Sequence, residues 1–422
     1  MTLVHDLSRE MPQTTELSDE SIEAKPDAKR AHTPIVGFLF FGVVGLLCFN
    51  FFLQVLAYLD VAFSADFSTY ANILYGLSNN CGQLLIIFFG SRFPFSQRIY
   101  VSAVGLALVL IAYPVVAAAV SSQSAGMGLA LTLTFGLGFF NAVIQSAGFG
   151  LAGICSAKSM EFFSIGQALA GLLPWPLLLL LKVIFNACGF SNNSDSGRLS
   201  PLAMACTLTS FLFAAVATFL FAPYYRFIMS KKPIVQQALS NLDVMKNSEM
   251  VQHRPKMKII KDTLPLAFSV WFVLYVTFLV FPGHIFMWQS SYDMDSNFYA
   301  GLMIYIYQVF DVVGRYLVSV WILNPKKTMI GCALRVLLVP LFFMATYKVS
   351  FFANDITRII VMAVFAAANG FLLTWCMIFG PSQVHKDEAD IASYTMSFFL
   401  VNGIFFGSLT AMGIREGMKG TL

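Results

Sequence analysis

The sequence predicts an all-α polytopic membrane protein with eleven transmembrane helices in a six-plus-five arrangement. Three observations carry that prediction. Of 422 residues, 58% are hydrophobic and only 11% charged, whereas a soluble domain needs about a quarter charged residues to cover itself in water. The apolar residues fall in runs of about 20, the length that crosses a bilayer core. The charges collect between those runs, and a single long polar connection separates the first six from the last five.

Taken in order, the runs cover residues 35–59, 70–90, 99–120, 128–155, 162–185, 201–221, 264–288, 298–323, 328–347, 356–379 and 391–414. Helix is the expected conformation because hydrocarbon offers unpaired backbone groups no partner. Runs such as Leu177 to Leu181 do not alternate, so a barrel is excluded. Residues 1–33 are polar and mixed in charge, and read as a disordered cytoplasmic tail rather than a cleavable signal. Residues 34–222 then form the N-terminal half, 223–262 a solvated cytoplasmic linker, and 263–422 the C-terminal half. With the N-terminus in the cytoplasm, eighteen Lys and Arg residues lie on the cytoplasmic side and six on the other. That bias sets the orientation, and the odd helix count places the C-terminus outside a plasma-membrane protein. The same topology exposes Asn192, in Asn192-Asn193-Ser194, as a glycan acceptor.

Several chemistries have no footing in this chain. There is no basic stripe for nucleic acid, no phosphate-binding loop, no paired zinc histidines and no nucleophile elbow. The reading therefore includes no cofactor, no metal and no catalytic residue. The seven cysteines read as small hydrophobes, with only Cys188 and Cys206 placed to meet across one loop.

The informative residues are polar ones inside the runs. Asp311 and Arg315 stand four apart, so they share a helix face and can pair. Each costs roughly 2.5–3.5 kcal/mol at a helix centre, against about 0.3–0.6 gained per large apolar residue. Such a pair is expected to face a wet cavity and to serve function. Gln308 lies one turn before Asp311 on the same face. Arg335 has no acid at a neighbouring helical position, and reads as structural, either paired to another helix or snorkelling to the cytoplasmic end. Neutral amides cluster too: Asn50 with Gln54, Asn79 and Asn80 with Gln83, and Asn141 with Gln145. Singly, each amide is more often a helix–helix hydrogen bond than a ligand contact. Together with an ion pair they point to a solute that offers hydrogen-bonding edges and no strong net charge.

Ordered motifs then bring a family into view. The fourth run carries Gln145 followed by Phe149-Gly150-Leu151-Ala152-Gly153, and the fifth carries Gly166-Gln167 with Ala170-Gly171. The eighth reads Phe310-Asp311-Val312-Val313-Gly314-Arg315, the ninth has Arg335 and Pro340, and the tenth has Asn369-Gly370 and Phe379-Gly380-Pro381. In this order the chain resembles the equilibrative nucleoside transporter family over nearly all eleven runs. The resemblance implies a fold similar to that of the major facilitator carriers, with a central cavity and alternating access about a midplane site. It implies that Gln145 bonds the base while Asp311 and Arg315 hold the ribose hydroxyls. Two departures alter the pocket wall: Phe49 in Leu47-Cys48-Phe49-Asn50 stands where the family has Trp, and Val312 follows Asp311 where Trp is frequent. Phe49 still offers an aromatic face. The expected function is facilitative transport of nucleosides or nucleobases, purines above all, with the choice between the two left open. Two rival readings are a proton-coupled carrier of the same fold and a polytopic enzyme or receptor. The first would have to titrate Asp311, whose nearest partner is already a cation; the second would need a catalytic constellation or a folded extramembrane domain.

Overall fold

The first helix, α1 (His32–Phe63), is followed by α2 (Phe67–Phe89) and α3 (Phe95–Ala119). The computed structural model describes residues 32–63, 67–120, 122–192, 199–247, 254–283, 285–292 and 294–418. The expected disordered tail lies almost wholly outside that set, as do Asn193 and Ser194 of the sequon. The chain continues through α4 (Gln123–Cys155), α5 (Ala157–Leu172), α6 (Pro174–Ala187) and α7 (Pro201–Phe227). A short helix, α8 (Pro233–Asn247), leads to α9 (Lys256–Val280) and α10 (Ser296–Leu317). Then come α11 (Pro325–Leu334), α12 (Val339–Thr346), α13 (Asp355–Ser382) and α14 (Ala389–Met418).

Ten helical stretches among the described residues are long and apolar enough to cross a membrane, α5 with α6 and α11 with α12 each counting as one. α10 is not among them, because Gln308, Asp311 and Arg315 dilute its apolar character. At 22 residues it is still long enough to span, and it packs lengthwise on α13 and α5. It lies where the sequence reading places the eighth of its eleven passes.

Proline explains where the passes depart from smooth runs. The fifth breaks at Leu173, because Pro174 and Pro176 donate no N–H to the carbonyls four residues back. The ninth changes from α11 into a 3₁₀ turn, Arg335–Leu338, just before Pro340. The seventh pass runs from Lys256 to Val280, about eight residues earlier than the apolar run 264–288. Pro282 forces Phe281 into an extended conformation and ends the helix there. Apolar composition continues past that point into a loop, which misled the sequence reading.

The linker is more structured than a solvated connection. Val235 and Leu242 lie seven apart on α8, one face of a helix, and both are buried in the main core. α8 packs against α4 and the 3₁₀ turn Lys386–Glu388 that precedes α14. Arg254 then bonds Glu388 at 2.7 and 2.5 Å and Asp262 at 2.7 Å. Those two acids, Glu388 first, raise the guanidinium's hold on its proton above the ordinary arginine value.

Helices come close where side chains vanish. A Cβ on Gly314 would collide with the carbonyl oxygen of Ala367, and one on Gly370 with that of Asp311. These two glycines let α10 and α13 touch backbone to backbone. That approach places Asn369 within reach of Asp311.

Candidate functional site

Asp311 and Arg315 form the expected pair, Arg315 Nε donating to Asp311 Oδ2 at 2.9 Å. They are 3% and 7% exposed, too enclosed for snorkelling and too well bonded for an accident. The other carboxylate oxygen, Oδ1, accepts from Asn369 Nδ2 of α13 at 2.7 Å. Asn369 Oδ1 in turn accepts from Thr277 Oγ1 of α9 at 2.8 Å. Arg335 donates through Nη1 to Thr277 Oγ1 at 2.6 Å and to the Val273 carbonyl at 2.5 Å. Arg335 is therefore neither snorkelling nor paired to an acid directly. It is 2% exposed, and its guanidinium lies 4.1 Å from the centre of the Phe365 ring. Four helical passes thus meet around one carboxylate.

The second cluster lies in the other half. Gln145, on α4, is fully enclosed and accepts from Gln83 Nε2 of α2 at 3.3 Å. Gln83 Oε1 accepts from Ser146 Oγ at 2.5 Å. One turn before Gln145, the Asn141 side chain is fully buried, and neither its nitrogen nor its oxygen has a partner among the described residues. An unsatisfied buried amide costs about 1–3 kcal/mol, a cost that a hydrogen bond to a solute would recover. Ser164 Oγ and Gln167 Nε2 on α5 are buried without partners as well.

The remaining predicted residues are more dispersed. Phe49 stacks on Tyr75 with ring centres 4.1 Å apart and planes 11° from parallel, so one of its faces is taken. Asn50 donates to the Leu46 carbonyl on its own helix at 2.9 Å, and Gln54 is half-buried one turn on. Gln308 is half-buried and abuts Gly171 of α5, where a Cβ would meet its amide. Asn192 is exposed and accepts from Ser200 Oγ at 3.3 Å. Cys188 and Cys206 do not meet: Cys188 is exposed, while Cys206 packs into the Leu178–Leu181 cluster. The sulfurs that come together are Cys332 and Cys376, 3.6 Å apart between α11 and α13.

Sequence reasoning missed Ser164, Asn369 and Thr277. Arg315 Nη1 donates to the Ser164 carbonyl at 2.7 Å, which joins the two halves. A backbone acceptor leaves no signal in a sequence. Asn369 belongs to the Asn369-Gly370 motif, which names no partner for it, and Thr277 is one hydroxyl in an apolar run.

The halves are held at both ends. On the side of the linker, Arg98 of α3 donates to Tyr394 of α14 at 2.9 Å. Lys158 donates to Glu161 at 2.9 Å and to Ser319 at 3.1 Å, and Ser319 donates to Glu161. Toward the opposite side, Trp175 of α6 packs on Phe298 and Tyr305 of α10 at 5.9 and 5.2 Å. Between these two seams lie the buried amides and the ion pair.

A helical bundle enclosing a polar midplane between two halves is the architecture of a membrane solute carrier. The solved structures agree on the fold. The chain superposes on the proton:xylose symporter XylE, a major facilitator protein, with a TM-score of 0.67 at 13% identity, covering 94% of this chain and 91% of that one. The family model described as nucleoside transporter matches residues 130–416, and the chain belongs to that family. It is 26% identical to human equilibrative nucleoside transporter 1 over 358 residues, 78% of this chain and 77% of that protein. It is 24% identical to equilibrative nucleotide transporter 1 of Arabidopsis thaliana over 424 residues, 95% of this chain and 90% of that one. It is a transporter and not an enzyme.

Proposed function

We propose that this carrier moves nucleosides down their gradient by alternating access, gripping the ribose with Asp311 and Arg315 and the base with Gln145 and Asn141. The observation that carries the reading is the shared burial of an ion pair in one half and unsatisfied amides in the other. A ribose presents vicinal hydroxyls, each both donor and acceptor. Asp311 accepts from such a hydroxyl and Arg315 donates to its oxygen, and charge-assisted bonds are the stronger kind. A base edge presents alternating donors and acceptors, which an amide such as Asn141 or Gln145 matches in either sense. Phe49, Asn50, Gln54 and Gln308 complete the wall by this reading, and purines are the bases it favours.

Labelled adenosine and hypoxanthine, offered to the purified protein in liposomes, test it. Adenosine is expected to equilibrate without concentrating, whether or not a pH gradient is imposed. Accumulation driven by that gradient would make the protein a proton-coupled carrier instead. With the plasma membrane taken as its home, the charge bias supports a cytoplasmic N-terminus and an extracellular C-terminus. A tag on the N-terminal tail is then expected to be reached by antibody only after permeabilisation, and one after Leu422 without it. Both tags on one side would overturn the orientation.

A further inference from the structure

We propose that Arg335 is a positioning residue for the substrate: acting through Thr277 and Asn369, it holds Asp311 in the rotamer that receives the ribose. The proposal rests on the ribose reading above and deepens it.

Arg335 sits in the 3₁₀ turn that Pro340 induces, so its side chain enters between α9 and α13 instead of following an α-helical face. Its donors meet the Val273 and Phe365 carbonyls and Thr277 Oγ1. Stapling three passes together needs only neutral donors, whereas a buried guanidinium carries a heavy desolvation cost. The position becomes intelligible from the direction of the bonds. Thr277 has one hydroxyl proton and two acceptors at 2.8 Å, the Val273 carbonyl behind it and Asn369 Oδ1 in front. Arg335 Nη1 already donates to that carbonyl and to the Thr277 oxygen, which turns the hydroxyl proton forward to Asn369. Receiving it fixes the Asn369 amide with its oxygen toward Thr277 and its nitrogen toward Asp311. Every donor then points the same way, from cation to carboxylate, and bonds aligned in this manner reinforce one another.

On its other oxygen Asp311 is held by Arg315. The carboxylate is fixed from two sides before any solute arrives, and each oxygen keeps a lone pair for a hydroxyl. Positioning of this kind lowers the ordering cost of binding. Arg335 itself touches no substrate.

The test compares a ribonucleoside with its 2′,3′-dideoxy analogue, which keeps the base and lacks both hydroxyls. Full-length protein in liposomes gives the apparent affinity for adenosine, by uptake, and for dideoxyadenosine, by inhibition of that uptake. Their ratio reads the grip on the ribose. Thr277→Val keeps the shape and removes the relay, and is expected to cut the ratio about fivefold, the worth of one net hydrogen bond. Thr277→Ser restores it. Arg335→Lys, which keeps charge but loses the fork, is expected to fall with Thr277→Val. Asp311→Asn is expected to collapse the ratio altogether. A wild-type ratio kept in Thr277→Val, with collapse in Asp311→Asn, makes Arg335 a helix clamp and overturns the proposal. A ratio unmoved in Asp311→Asn overturns the ribose reading itself, and this inference with it.

Discussion

At the scale of single residues, the ion pair was legible because spacing alone decides whether two side chains on one helix can meet. Its environment was not. Nothing in the order of residues shows that Asn369 approaches Asp311, since that contact depends on two glycines letting separate helices touch. Arg335 shows the same limit: it bonds to other helices, as one of its two readings allowed, but a search for acids four residues away cannot find one reached through a threonine and an asparagine. These contacts lead to two predictions. Arg315→Lys keeps the charge but supplies no planar fork to join Asp311 with the Ser164 carbonyl. Its ribonucleoside uptake is expected to fall at least tenfold at unchanged surface amount, a loss of about 1.4 kcal/mol or more. Gln145→Ala removes one neutral acceptor and strands Gln83 Nε2. Its apparent affinity for nucleosides is expected to weaken about fivefold, measured by uptake kinetics with surface biotinylation as the control. Normal affinity there would assign Gln145 to helix packing.

At the scale of elements, hydropathy found the passes because a bilayer tolerates nothing else, yet it blurred their ends. Proline marked the breaks at Pro174, Pro282 and Pro340, but each lies inside a continuous apolar run. Composition outweighed punctuation there. α8 escaped notice because its buried face, Val235 and Leu242, is short and set among polar neighbours. The crossing of α10 with α13 is the element contact on which the site depends most. Gly370→Val would drive its side chain into the Asp311 backbone and part the two helices. Loss of folded protein in detergent, or of uptake if it folds, is the expected outcome. Gly128, with nothing within 4 Å of an added Cβ, is the contrasting position. Gly128→Ala is expected to leave transport intact and to stabilise α4 by about 0.5–1 kcal/mol, since glycine weakens a helix interior by that amount. A thermal-stability assay on the two purified variants separates them.

At the scale of the whole molecule, the six-plus-five plan was legible from run lengths and one polar linker, whereas the seams between the halves are tertiary facts. Transport by rocking requires those seams to open in turn. On the linker side, Glu161 on α5 and Ser319 just beyond α10 are in direct contact, with Lys158 bonded to both. The two residues belong to opposite halves, so a covalent bridge there should lock the linker side shut. Cys332 and Cys376 supply the control, because they lie 3.6 Å apart on α11 and α13 within one half. Linking them ties together two passes that have no need to separate. Oxidation of the unsubstituted protein is therefore expected to leave most of its uptake, whatever happens at that native pair. The variant carrying Glu161→Cys with Ser319→Cys is expected to lose nearly all uptake under the same oxidant and to regain it on reduction. Each single substitution should behave as the unsubstituted protein does. Mass spectrometry of the oxidised variant confirms that the bridge has formed. Full transport by the bridged double variant would mean that the halves do not part between α5 and α10, and the opening would then have to be sought along α14, where it meets α2 and α4.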